Sequence, residues 1–309
     1  MMLSVENLYK SFGDTHAVRG LSFSLSGGDI TGFVGPNGAG KTTTMRILAT
    51  IEDASSGRVE IDGHSIITHP ERARELVGFV PDSLPLHSDM SVHEYLDFFA
   101  RAYGIRSEKR RSLIDDLEEF TNLTNIREKL IVALSKGMKQ RVSIARALIN
   151  DPKFLLMDEP AAGLDPRARI ELRELLRVLS RQGKGILISS HILSELSEIC
   201  TSTLIIEQGR MLKFGTIEEV TNHDQPTRKL IIRPLSDPEG VSRFLVLEPG
   251  IENLVANGKT FECDFAGTDE DAAEIVARAL AAGHRLVEFK FRQQNLESVF
   301  MNITRGEVQ

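Results

Sequence analysis

One segment of the sequence has the residue types and the spacing of a phosphate-binding loop. It is made of consecutive residues that end in a lysine and a threonine: Gly35, Pro36, Asn37, Gly38, Ala39, Gly40, Lys41 and Thr42. The segment fits the pattern G-x-x-x-x-G-K-[ST], whose glycines let backbone N–H groups surround a phosphate. Lys41 adds a positive charge, and the Thr42 hydroxyl can bind Mg²⁺. Together with Thr43, at the start of the following helix, the segment predicts a nucleotide site.

Two carboxylates follow a short apolar strand further along the chain. The run Phe154 to Met157 is wholly apolar, and Asp158 and Glu159 come directly after it. Ligands of open α/β sheets bind where the strands end. We therefore expect Asp158 to hold Mg²⁺ and Glu159 to polarise a water molecule for attack on the γ-phosphate. The alternative is that both carboxylates simply begin a surface turn before Pro160.

A third segment narrows the class of nucleotide-binding protein. Residues Leu134 to Met138, with the sequence LSKGM, resemble the L-S-G-G-Q signature of ABC ATPases, and they precede the acidic pair at the spacing usual in that family. Ser135 can cap the helix that follows, so that its hydroxyl and the next N–H groups form a second anion site. In the family, residues that match Ser135 and Gly137 contact the γ-phosphate held by a partner subunit.

The resemblance to ABC ATPases implies roles for three more residues. Phe12 matches the aromatic residue that stacks on adenine, Asp165 matches the aspartate of the D-loop, and His191 matches the switch histidine that senses the γ-phosphate. Taken alone, Phe12 would be expected in the core and His191 at a helix cap or on the surface. Their places relative to the phosphate loop and the acidic pair favour the roles that the family implies.

Two positions depart from the usual pattern of the family. Asp82 stands after the strand Val77 to Val80 where glutamine is usual; an aspartate can ligate Mg²⁺, but it cannot donate a hydrogen bond to the attacking water. Met138 replaces the last glutamine of the signature, and we expect the anion contacts of Ser135 and Gly137 to remain. An aspartate and a methionine at these two positions resemble the sequence pattern of the ATPase subunits of type-2 ABC exporters.

The elements that must position these residues are recognisable in the sequence. Ile30 to Val34, Phe154 to Met157 and Gly185 to Ser189 are short, rich in apolar residues and separated by helical stretches, which favours a covered parallel sheet of α/β type. Alternating runs between Leu3 and Leu25 predict half-buried strands. Apolar residues at helical spacing within residues 84–150 predict a helical subdomain. The resemblance implies a P-loop NTPase core of the ABC ATPase type.

The sequence predicts two domains. A nucleotide-binding domain would cover residues 1–222, a polar linker residues 223–228, and an accessory α+β domain residues 229–309. Strand and helix signals in the last segment follow the ferredoxin-like order β-α-β-β-α-β, and a closing helix comes after them. Apolar residues of that helix recur at helical spacing: Leu296, Val299, Phe300 and Ile303. We expect this face to pack on the domain's own sheet; a partner-binding face is the alternative.

Composition and charge argue against several other classes. The chain has 37 Lys and Arg against 44 Asp and Glu, a formal net charge of −7, so no general nucleic-acid-binding surface is expected. The absence of a long apolar run or a signal-peptide pattern predicts a cytoplasmic protein that reaches a membrane by binding another chain. Cys200 and Cys263 are too few for a disulfide framework and are expected to be buried structural thiols.

The resemblance implies the ATP-binding subunit of an ABC transporter. Two copies, in a homodimer or a heterodimer, would bind two ATP molecules with Mg²⁺ head to tail and drive export through a separate membrane permease, on the cytoplasmic face. A soluble ABC ATPase acting on ribosomes or nucleic acid is the alternative, but such translation factors usually carry two nucleotide domains. A chromosome ATPase would need a long coiled-coil insertion. The sequence does not indicate the cargo.

Overall fold

The computed structural model of the protein describes residues 2–84, 89–222, 227–292 and 296–304. The chain forms two compact units: Met1–Val220 with Leu296–Gln309, and Thr221–Asn295. Residues 223–226 of the expected linker lie outside the described residues. Within the described ranges, no helix combines the length and the apolar character that a membrane crossing requires.

The elements alternate between strands and helices through most of the chain. The strands are β1 (Met2–Phe12), β2 (Thr15–Ser26), β3 (Ile30–Val34), β4 (Ser56–Ile61), β5 (His64–Ser65), β6 (Val77–Val80), β7 (Phe154–Met157), β8 (Gly185–Ser190), β9 (Ser202–Glu207), β10 (Arg210–Thr216), β11 (Arg228–Pro234), β12 (Ile251–Asn257), β13 (Thr260–Phe265) and β14 (Leu286–Phe291). The helices are α1 (Lys41–Leu48), α2 (Pro70–Leu76), α3 (Val92–Ala102), α4 (Ser107–Phe120), α5 (Lys136–Leu148), α6 (Pro166–Arg181), α7 (Leu193–Ser197), α8 (Ile217–Asn222), α9 (Pro238–Leu247), α10 (Asp269–Ala281) and α11 (Leu296–Ile303).

A six-stranded sheet, ordered β10-β9-β3-β8-β7-β6, forms the centre of the first unit. All its pairings are parallel except that of β10 with β9. Every residue of β3, β7 and β8 is buried, as the nearly continuous apolar runs predict for strands covered on both faces. The predicted α/β core is confirmed. Because these strands are parallel neighbours, their carboxyl ends meet at one edge of the sheet.

Two further layers surround this core. An antiparallel sheet ordered β2-β1-β4-β5 carries the alternating pattern predicted for the N-terminal strands, and its apolar face covers one side of the central sheet. Helices α3, α4 and α5 form the expected helical subdomain. A capping box fixes the start of α3, where the Ser91 hydroxyl accepts from the Glu94 N–H and the Glu94 carboxylate accepts from the Ser91 N–H.

The second unit has the predicted β-α-β-β-α-β order. Its antiparallel sheet is ordered β12-β13-β11-β14, and α9 and α10 supply apolar residues to a separate core. Cys263 is buried in this core, and burial raises the pKa of its thiol to about 11. Cys200, in the first unit, is also buried and free, and burial raises its pKa as well. Both cysteines are therefore structural, as expected.

The closing helix differs from the expectation. α11 belongs to the first unit, where it packs against α7. Val299 is buried in the same core as Leu193 and Leu196 of α7, and Phe300 packs against that core. The expectation that this helix covers its own ferredoxin-like sheet was therefore wrong. The apolar stripe gives the face that is buried, but it does not say which surface buries it.

Candidate functional site

The phosphate loop connects the end of β3 to the start of α1, and its glycines are required by close packing. A Cβ on Gly40 would lie 2.4 Å from the carbonyl oxygen of Ala17, and φ at Gly40 is +101°. A Cβ on Gly35 would lie 2.5 Å from the carbonyl oxygen of Ile206. Gly40 is also the N-cap of α1 and offers no capping side chain. The first N–H groups of α1 therefore remain available to an anion.

Most of the remaining residues of the loop and of the helix start are at least partly exposed. Asn37, Gly38 and Thr42 are exposed, Pro36 and Thr43 are partly exposed, and Ala39 is buried. The Gly209 N–H donates to the carbonyl oxygen of Ala39 at 3.0 Å, which ties the loop to the turn between β9 and β10. This backbone hydrogen bond fixes the loop on the side of the β9–β10 turn, and Thr42 remains exposed.

Lys41 is a buried cation that lies back against its own loop. Its Nζ donates to the carbonyl oxygens of Gly35 at 2.6 Å and Pro36 at 3.1 Å, and it lies 4.0 Å from Oε1 of Glu159. Burial lowers the pKa of Lys41, while the charges of Glu159 and Asp158 oppose this shift. A phosphate would compensate this charge far better than two carbonyl dipoles, because it carries full negative charges.

A buried serine joins the Asp158 carboxylate to the backbone of Glu159. Ser189 Oγ donates to Oδ1 of Asp158 at 2.7 Å and accepts from the N–H of Glu159 at 2.8 Å. The N–H of Asp158 donates to the carbonyl oxygen of Val80 on β6 at 2.9 Å. Glu159 has a φ of +48°, so the chain turns sharply here and the two side chains diverge. Sequence reasoning missed Ser189, although it is part of the Ser-Ser-His segment that ends β8.

Glu159 lies between a lysine and a histidine. Its Oε2 is 2.8 Å from Nδ1 of His191, and its Oε1 is the oxygen that faces Lys41. With an ionised carboxylate, this hydrogen bond requires the proton on Nδ1 of His191. The predicted residues Lys41, Asp158, Glu159 and His191 therefore meet at the carboxyl ends of β3, β7 and β8.

Phe12 is not a core residue. It ends β1 with 49% of its surface exposed, and the ammonium of Lys10 lies 4.7 Å from the centroid of its ring. Lys10 is itself paired with Glu52. An exposed ring whose position is supported by a fixed cation can accept a planar base on its open face.

The oxygen ligands available to Mg²⁺ come from three separate elements. Among the described residues, no three His, Cys, Asp or Glu side chains cluster as a metal site. Asp158 is buried beside the loop, Thr42 is exposed on α1, and Asp82 is exposed after β6, in a cleft that Lys136 also lines. Hard oxygens of this kind suit Mg²⁺, which takes its remaining ligands from phosphates and water. The donor set fits the ion.

The signature segment forms a capped helix start. Ser135 Oγ accepts from the N–H of Met138 at 3.3 Å at the N-terminus of α5, and Ser135 is exposed. Beside it, the Cβ position of Gly137 is 3.5 Å from the Cβ of Ala168 on α6. Met138 packs partly buried against the core, so its replacement of glutamine leaves the capping geometry intact.

The D-loop is the immediate neighbour of the signature. Asp165 caps α6, where its Oδ1 accepts from the N–H of Ala168 at 2.9 Å. The Nζ of Lys136 is 3.0 Å from the Cβ position of Gly163. The N–H of Ala162, the first residue of the D-loop, donates to the carbonyl oxygen of Glu159 at 3.1 Å, whereas within the described residues no hydrogen bond or ion pair joins Ser135 or Gly137 to Lys41 or Glu159. The two anion sites lie at the starts of different helices, α1 and α5.

Comparisons with known proteins find one family model and several similar proteins. The family model described as "ABC transporter" matches residues 18–162. The Nod factor export ATP-binding protein I of Ralstonia nicotianae is 37% identical over 309 residues, which cover 99% of this chain and 95% of that protein. The protein of the same name from Rhizobium sp. strain N33 is 34% identical over 307 residues, 99% of this chain and 98% of that protein. These relatives are named as exporter subunits, which argues against the ribosome alternative.

Solved structures give the same answer for the fold. An ATP-binding subunit of an ABC transporter superposes with a TM-score of 0.66 at 29% identity, covering 72% of this chain and 92% of that one. CbiO1 from Clostridium perfringens, part of an ABC transporter complex, gives 0.65 at 31% identity, with 72% and 90% covered. The chain belongs to the ABC transporter family, as an ATP-binding and ATP-hydrolysing subunit of the exporter kind that acts through a separate membrane component.

Proposed function

We propose that Glu159 is the general base of ATP hydrolysis and that His191 orients it and senses the γ-phosphate. The observation that carries this proposal is the position of the Glu159 carboxylate, 2.8 Å from Nδ1 of His191 and 4.0 Å from Nζ of Lys41. A phosphate bound at Lys41 lies within reach of a water molecule activated by Glu159. A positioned general base contributes about 10²–10⁴-fold to the rate.

Binding of the nucleotide is assigned to the phosphate loop and its surroundings. Lys41 and the free N–H groups of α1 hold the phosphates, and Phe12 stacks on adenine. Thr42, Asp158 and Asp82 would hold Mg²⁺, which would neutralise charge on the phosphate oxygens. Ser189 keeps the Asp158 carboxylate in place by donating to its Oδ1 at 2.7 Å.

The second half of the site comes from a partner subunit, in a homodimer or a heterodimer. Ser135 and Gly137 form an exposed anion site at the start of α5, and Asp165 stands in the adjoining D-loop. Because this site and Lys41 lie at the starts of different helices, a head-to-tail pair of chains is the arrangement that we propose to bring the two sites onto one ATP. Each ATP is then held between Lys41 of one chain and Ser135 of the other.

Closure of this dimer on two MgATP drives an integral permease, with the ATPase subunits on the cytoplasmic face of the membrane. Support comes from the relatives, which are similar over 99% of this chain and are named for Nod factor export. Their names make Nod factor the first cargo to test. Reconstitution of the chain with a permease of such a system tests this part of the proposal.

Glu159→Gln tests the catalytic assignment, because it keeps the shape of the side chain and removes its charge. We expect MgATP binding at equilibrium to be retained and phosphate release to fall by about 10²–10⁴-fold. Glu60→Gln is the matched control, since Glu60 pairs with Arg58 on β4, away from the loop. A Glu159→Gln protein that hydrolyses ATP at the parental rate would exclude Glu159 as the base.

A further inference from the structure

The closing helix packs against the segment that follows the proposed catalytic histidine. Val299 of α11 is 6% exposed, and it shares an apolar core with Leu193 and Leu196 of α7, which are 7% and 1% exposed. Phe300 lies partly buried against the same core. On the other side of the helix, Met301 is 74% exposed. α11 therefore uses one apolar face to cover α7.

α7 has only five residues, so its position depends on what packs around it. Toward the sheet, Cδ1 of Leu196 lies 3.3 Å from the Cβ position of Gly32 on β3. At the end of the helix, Arg177 donates to the carbonyl oxygen of Glu198 at 2.8 Å, and Arg173 forms an ion pair with the Glu198 carboxylate. These contacts hold the base and the end of α7, and α11 packs against the core that contains Leu193 and Leu196.

His191 lies between the end of β8 and the start of α7. Its side chain is 54% exposed, and within the described part of the chain its ring is held by the hydrogen bond to Glu159. Because this hydrogen bond is exposed to solvent, the direction of the imidazole also depends on the backbone on either side of His191. On one side this backbone belongs to the central sheet, and on the other it leads directly into α7.

We propose that α11 is a positioning element for His191, with Val299 and Phe300 as the positioning residues. By bracing α7, these side chains keep the imidazole at hydrogen-bonding distance from Glu159. The inference rests on the proposed roles of Glu159 and His191.

The test compares the full-length double variant Val299→Ala/Phe300→Ala with Met301→Ala, the control on the exposed face of the same helix. Phosphate release should show kcat lowered by about 10- to 100-fold in the double variant, the range expected for a displaced catalytic group. KM for ATP and the Kd for MgATP should stay within about twofold, because the phosphate loop is untouched. Met301→Ala should match the parent in all three.

A second arm separates positioning of His191 from a general loss of structure. In a His191→Ala background, Val299→Ala/Phe300→Ala should cause no further loss of kcat, because the group that it positions is gone. The same fold loss in both backgrounds would overturn the inference while leaving the proposed function intact. Parental activity of His191→Ala alone would instead remove the proposed role of His191, and the inference with it.

If the double variant does not fold, the single variant Val299→Thr can replace it in these measurements. Threonine has nearly the shape of valine but places a hydroxyl in the apolar contact with α7. The inference is supported if Val299→Thr lowers kcat without changing the affinity for MgATP, while the apolar variant Val299→Ile keeps the parental kcat. If Val299→Thr lowers the melting temperature but leaves kcat at the parental value, the inference is overturned.

Discussion

Ser189→Ala is the perturbation whose effect can be worked out most fully from the structure. The Ser189 hydroxyl has no exposed surface and bridges the Asp158 carboxylate and the Glu159 N–H, at 2.7 and 2.8 Å. Alanine fits the same space without strain. The change therefore removes two hydrogen bonds and little else.

Both lost hydrogen bonds are expensive because both partners lie at a buried strand end. A hydrogen bond to a charged group contributes about 1.5–3 kcal/mol, and a buried N–H left without a partner costs about 1–3 kcal/mol. Allowing for partial relaxation, we expect the free energy of unfolding to fall by about 2–4 kcal/mol. Glu159 also holds a left-handed φ of +48°, a conformation that costs about 1–3 kcal/mol and that the Ser189 bond helps to maintain.

Loss of that bond should misplace the Glu159 carboxylate and lower kcat at least tenfold, or about 1.4 kcal/mol in the barrier. Urea unfolding and phosphate release measure the two effects. Thr203→Val is the matched control, since Thr203 is equally buried and donates to the carbonyl oxygen of Gly32 at 3.2 Å, on a strand without catalytic residues. It should cost about 1 kcal/mol in stability and nothing in kcat. A Ser189→Ala protein with parental kcat would refute the reasoning.

Three further predictions concern the nucleotide. Lys41→Ala should weaken MgATP binding at least tenfold in an equilibrium titration, because a buried positive charge is lost; unchanged affinity would refute the phosphate-loop assignment. Phe12→Trp should retain binding and give a fluorescence change on addition of ATP, since the chain has no tryptophan of its own; an unresponsive spectrum would exclude stacking. Gly40→Ala should abolish binding, because its Cβ would meet the Ala17 carbonyl at 2.4 Å, whereas Gly104→Ala, at a glycine that also has a positive φ but has open space around its Cβ position, should retain it.

Residues that belong to short motifs could be predicted from the sequence. The phosphate loop, the acidic pair and the histidine each lie at the end of an apolar run, and parallel strands bring such ends together. Ser189 could not be assigned a role, because its partners depend on the pairing of β7 with β8 and on the sharp turn at Glu159. A periodic pattern carries no information on which hydroxyl will face which carboxylate.

The fold shows the same limit at the end of the chain. Local signals sufficed for the ferredoxin-like order of elements in the second unit, although in its sheet only β12 and β13 are neighbours both in sequence and in space. The docking of α11 required knowledge of a surface on α7, far away in sequence. An amphipathic stripe indicates that a face is buried, but many apolar surfaces of similar size can cover it.

The central claim is that each ATP is held between Lys41 of one chain and Ser135 of another. Glu159→Gln tests it most directly, because slow hydrolysis should let the closed dimer accumulate. Size-exclusion chromatography should show a dimer with MgATP and a monomer without it, and adding Ser135→Arg should abolish the dimer while monomer binding of MgATP persists. A Glu159→Gln protein that stays monomeric in saturating MgATP, or a dimer that Ser135→Arg leaves intact, would contradict the account.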